Sequence, residues 1–258
     1  MSDTQAAELQ TPQTPYERAP FMEHLKELRN RILYSAIAIV IGLVVGMFCG
    51  ELVLRILLVP APSHAELVTI RLVEGIAVYF KVGLLFGLIM TMPFLLYQLF
   101  AFVAPGLTPK ERRFILIMIP AIVFMFLCGV AFAYFIALPP ALNFLFTFDV
   151  GATPMVSLDN YVSLVVRILV VLGLVFETPL IIMGMASLGV VSPQWLAKRR
   201  KWWILLAFII AAISTPTPDP VTQTIVAVPL ILLLELGILL SRLVYKKKRG
   251  NPTQSATA

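Results

Sequence analysis

Residues 114–138 read FILIMIPAIVFMFLCGVAFAYFIAL, twenty-five positions without one charged side chain. As a helix rising 1.5 Å per residue, such a run is about 37 Å long, enough to cross a hydrocarbon slab of ~30 Å. It does not alternate with period two, which disfavours an outer-membrane barrel. Outward from it, further apolar runs occupy residues 32–49, 76–102, 161–188, 202–213 and 225–240. The run at 202–213 covers only about 18 Å by the same rise. The chain has 258 residues, 59% hydrophobic and 13% charged, whereas soluble domains carry about 25% charge. A water-soluble globule is therefore excluded, and so much apolar content excludes disorder. The expected fold is all-α: a polytopic membrane protein of six transmembrane helices. Prolines 93, 120, 179 and 229 interrupt four spans, and bent helices suit a curved, cup-like wall better than a tight bundle.

Sidedness follows from the basic residues. Of twenty Lys and Arg, sixteen fall before the first span, between spans two and three, between four and five, or after the sixth. Segment 139–160 has no Lys or Arg and carries Asp149 and Asp159. Both termini are thus expected in the cytoplasm. The net charge of +6 reads as membrane orientation and attraction to anionic lipid, not as a nucleic-acid footprint. No cleavable signal peptide is expected, because the first span follows thirty polar-rich residues. Residues 1–19 and 246–258 are expected to be tails, disordered and basic respectively, around a membrane domain at 20–245. Cys49 and Cys128 read as small hydrophobes.

Two segments on the basic side carry carboxylates. Residues 21–32 place Phe21, Leu25, Leu28 and Ile32 on one helical face. That face is expected to lie along the interface before the chain bends into span one. The opposite face carries Glu23, Glu27 and Arg31 at four-residue spacing, a pattern that also fits ordinary i,i+4 pairs. In FVAPGLTPKERR (102–113), Thr108, Pro109 and Glu111 look like N-cap, N1 and N3 of a helix. Capping alone would account for Glu111. Within span four, Glu177 sits beside Pro179, and an intramembrane carboxyl is a functional candidate by default. Lys81 and Arg167 lie toward outer ends and are read as snorkelling, while Glu235 lies within reach of the basic rim. No metal site is expected, since His24 and His64 fall on opposite sides.

The stretches HLKELRNR (24–31), FVAPGLTPKER (102–112), FETP (176–179) and TPDPVTQ (217–223) together resemble the motifs of the TatC family. Order, spacing and topology match across roughly 20–245. The outer turn TPTPDP looks slightly expanded. TatC is the core subunit of the twin-arginine protein translocase, and the resemblance implies a receptor for signal peptides bearing two adjacent arginines on folded cargo. It puts the family's glutamates on Glu27 and Glu111, with Phe102, Pro105 and Leu107 shaping the platform and Arg31 holding Glu27. Two guanidinium forks need two separated carboxylates. Glu177 becomes an intramembrane polar site facing a concave, partly wet pocket in a thinned outer half. Asp219, Thr222, Gln223 and Thr224 become a docking site for single-span TatA- and TatB-type partners, with internal contacts the competing reading. The implied setting is the bacterial cytoplasmic (inner) membrane, with other copies of the chain and membrane lipid as further partners. Transport would be driven by the proton-motive force, with no cofactor and no enzymatic activity. A secondary transporter of a small solute is the alternative, though no inverted repeat is visible.

Overall fold

The computed structural model describes residues 15–62, 67–103, 109–147, 156–187, 189, 191–214 and 220–249. Among them run helices α1 (Pro15–Phe48), α2 (Gly50–Leu58), α3 (Glu74–Val103), α4 (Pro109–Phe132), α5 (Leu138–Thr147), α6 (Leu158–Val175), α7 (Thr178–Ser187), α8 (Pro193–Lys198), α9 (Arg200–Ser214) and α10 (Pro220–Arg249). Among the described residues, five stretches are long and apolar enough to cross a membrane: Leu25–Phe48, Glu74–Leu99, Leu116–Thr147, Leu158–Ser187 and Gln223–Leu243. The run at 202–213 lies in α9, whose fifteen residues span about 22 Å.

Helix α1 differs from expectation. No break separates the interface segment from the first span, because residues 21–41 contain neither Gly nor Pro and every backbone ring can close. The boundaries expected at 19/20 and 245/246 both fall inside helices, α1 and α10. Helix α2, which was not foreseen, follows α1 and ends under two tyrosines. Tyr134 Oη donates to the Ile56 carbonyl (2.7 Å) and Tyr161 Oη to the Leu57 carbonyl (2.9 Å). Both are carbonyls of the last turn, beyond the regular ladder, and that of Ile56 also accepts from the Val59 amide at 3.2 Å.

Helices α1 and α3 touch backbone to backbone through small residues. A Cβ added at Gly46 would stand 2.2 Å from the Gly83 carbonyl oxygen, and one at Gly87 2.5 Å from the Gly42 carbonyl carbon. Gly42, Gly46 and Gly50 repeat every four residues, as do Gly83 and Gly87. This is the small-xxx-small pattern that lets membrane helices gain dispersion energy where no hydrophobic drive exists. Helices α4 and α6 meet likewise at Gly129 and Gly173.

Span four is two helices. Pro179 lacks the N–H that would reach the Val175 carbonyl, and the chain turns at Phe176 and Glu177 between α6 and α7. The Thr178 hydroxyl donates to that freed carbonyl at 2.6 Å. Two consecutive prolines, Pro139 and Pro140, follow a π-helical turn at Ala133–Ala137. They remove two more ladder donors, which makes a wider turn tolerable there.

At the end opposite the basic residues, Glu74 ties the bundle together. Its Oε2 accepts from the amides of Ile70 (2.8 Å) and Arg71 (3.0 Å). Its Oε1 accepts from Ser157 Oγ (2.5 Å) and the Asp159 amide (2.8 Å). One buried carboxylate therefore closes the loop before α3 and the first turn of α6. Two residues of each lead-in also pair as parallel strands, β1 (Leu67–Val68) with β2 (Val156–Ser157). Lys81 bonds Asp159 and donates to Ser163 Oγ at 2.8 Å, so its ammonium is held by α6. Glu74→Gln is expected to lower the thermal transition of the detergent-solubilised chain by roughly 5 °C or more, measured by scanning fluorimetry. It leaves an amide NH₂ facing donors.

Candidate functional site

At the basic end, α1 supplies Glu27 and Arg31 one helical turn apart, which aims both side chains along one face. Arg31 Nη2 lies 2.9 Å from Glu27 Oε1 and Nε lies 3.3 Å from the same oxygen. Arg31 Nη1 donates to Gln98 Oε1 of α3 at 2.9 Å. Gln98 is 6% exposed, whereas the side chains of Arg31 and Glu27 keep 26% and 30%. The guanidinium is thus anchored on the neighbouring helix and grips Glu27 by one oxygen alone. Glu27 Oε2 has no hydrogen-bond partner among the described residues. A carboxylate presented this way can accept a second planar fork.

Phe102 lies one turn beyond Gln98 on α3, half-buried. Pro105 and Leu107 lie outside the described residues. Glu111 is the third residue of α4, which begins at Pro109 as the capping pattern predicts; its side chain lies outside the described set, as does Thr108. Helices α1 and α4 both pack on α3. The structure therefore brings Glu27, Arg31 and Gln98 together and carries Phe102 and Glu111 on the adjoining helix ends. The sequence reading missed Gln98. A lone amide in an apolar run was its only signal, and its partner is 67 residues away.

Two members of the outer polar group bond within the chain. Gln223 Nε2 donates to the Phe208 carbonyl of α9 (3.1 Å), and Thr224 Oγ1 to the Pro220 carbonyl (2.6 Å). Thr224 remains exposed. Asp219 and the Thr222 side chain lie outside the described residues. Glu235 meets the basic rim as expected, through Arg200 Nη2 at 2.8 Å.

Glu177, expected to face a concave, partly wet pocket, is buried within the chain. It is 4% exposed, at the α6–α7 turn, twentieth of the thirty residues in Leu158–Ser187. Nearby, α4 and α6 close on each other at Gly129 and Gly173, and Phe176 packs on Phe132 with centroids 5.2 Å apart. Among the described residues neither carboxyl oxygen has a hydrogen-bond partner, and the Phe126 backbone lies nearby. Among the described residues, no group of three or more His, Cys, Asp or Glu could hold a metal.

The family model described as Sec-independent protein translocase protein (TatC) matches residues 23–229. This chain belongs to the TatC family. The TatC of Carboxydothermus hydrogenoformans is 39% identical over 88% of this chain and 94% of its own length. That of Aquifex aeolicus is 38% identical over 89% and 98%. A crystal structure of the twin-arginine translocase receptor TatC superposes with a TM-score of 0.74 at 37% identity, covering 86% of this chain and 99% of that one. The protein is accordingly a membrane-embedded translocase component rather than an enzyme, and other membrane proteins are its partners. The solute-transporter alternative has no support in these relationships.

Proposed function

We propose that this TatC is the receptor of a twin-arginine translocase in a bacterial cytoplasmic membrane, and that Glu27 and Glu111 take the two arginines of a signal peptide. The observation that carries the reading is the one-sided grip of Arg31 on Glu27. It orients the carboxylate while leaving one oxygen free. The surrounding Lys and Arg would repel a merely basic peptide, so selectivity resides in the placed acids. Phe102, Pro105 and Leu107 form the platform beneath the peptide. Six spans with both termini cytoplasmic complete the topology, in a cupped wall around a membrane domain at 20–245. The proton-motive force drives export of folded cargo, with other copies of the chain and TatA- and TatB-type helices assembling around the receptor. Photocrosslinkers at positions 27, 102 and 111 are expected to capture a twin-arginine signal peptide and not its twin-lysine variant. Equal capture of both would remove the assignment.

Single-span partners dock along α9 and α10 in this reading, near Asp219, Thr222, Gln223 and Thr224. The short α9 supports it, because a helix of about 22 Å thins the lipid beside it. The buried, unpaired Glu177 supports an intramembrane polar role of the same kind. Cysteines along α9 and α10 should crosslink to the partner helices. Crosslinks confined to α1 would relocate the docking surface.

A further inference from the structure

A cavity of about 380 Å³ opens between the start of α9 and the second half of α10, lined by Arg200, Glu235, Leu236, Ile238, Leu239 and Arg242. It belongs to neither the Glu27 site nor the outer polar group. We propose that it binds the phosphate of an anionic phospholipid from the leaflet on the basic side.

The charge balance carries the argument. Arg200 spends a single N–H on Glu235 and keeps its other donors, since a guanidinium has five. Arg242 is exposed and makes no ion pair among the described residues. Two guanidinium groups against one carboxylate leave one positive charge, which matches the single negative charge of a phosphodiester. Arg200 also opens the fifteen-residue helix α9, whose dipole favours an anion at that end. Glu235 holds Arg200 across the gap between helices, so the fork is pre-oriented.

The apolar wall selects a lipid over free phosphate. Leu236 and Leu239 line the cavity and are 40% and 54% exposed. They offer a bed for acyl chains directly below the arginines, the arrangement in which basic pockets between membrane helices take lipid head groups. Trp203 packs against the same Ile238 cluster and keeps a buried Nε1 with no hydrogen-bond partner.

The chain supplies its own reporter, because its three tryptophans, Trp195, Trp202 and Trp203, all lie at α8 and the start of α9. The full chain would be reconstituted in phosphatidylcholine vesicles containing a minor fraction of brominated phosphatidylglycerol or brominated phosphatidylcholine. Tryptophan quenching then gives the relative association of each lipid. Phosphatidylglycerol is expected to be preferred by roughly fivefold. Arg242→Gln, at an exposed position with no ion pair, should bring the preference close to one. Glu235→Gln should raise it by releasing Arg200 from its carboxylate. Equal quenching by both lipids, or a preference unchanged in Arg242→Gln, would overturn the proposal. Millimolar inorganic phosphate at matched ionic strength should leave the preference intact; its abolition would identify a free-phosphate site and overturn the lipid assignment.

Discussion

Glu27→Ala and Glu111→Ala are each expected to weaken binding of a twin-arginine signal peptide by tenfold or more, with the double variant showing none. A hydrogen bond to a charged group contributes about 1.5–3 kcal/mol, and a factor of ten corresponds to about 1.4 kcal/mol. Loss of one bidentate acceptor therefore reaches that scale alone. Glu27→Ala removes the carboxylate and leaves Arg31 on Gln98, so α1 keeps its tie to α3. Gln98→Leu should act on the same binding more weakly, since Glu27 remains but its holder swings free. Binding of a fluorescent signal peptide to the reconstituted chain measures all three, with insertion and thermal stability as controls. A double variant that binds undiminished would refute the site.

Gly46→Leu is expected to break the α1–α3 pair outright. A Cβ there would meet the Gly83 carbonyl oxygen at 2.2 Å, a backbone atom that cannot rotate away. Overpacking costs about 1–3 kcal/mol when side chains can adjust, and here the helices themselves must separate. Separation also pulls Gln98 from Arg31, so signal-peptide binding should fall together with stability. Gly75→Ala, where added bulk meets open space, is the control and should behave as wild type. A Gly46→Leu variant with an unchanged thermal transition would show that the close approach is not required.

The sequence alone determined the helical membrane class, the start of α4 at Pro109 and the family. Each rests on local information: uninterrupted apolar length, a proline at a helix start, and four short motifs in register. Glu27 and Arg31 were legible for the same reason, being four residues apart on one helix. What lay outside local information was decided by packing. The Gln98 anchor, the four-way Glu74 lock and the Lys81–Asp159 pair join residues 67 to 85 positions apart. No periodicity in a one-dimensional pattern encodes which of several polar groups in lipid will find one another. Glu177 shows the same division most sharply. The charge, the proline beside it and the broken span can be read from FETP, yet its burial is set by how other helices pack around the α6–α7 turn, which no local pattern encodes.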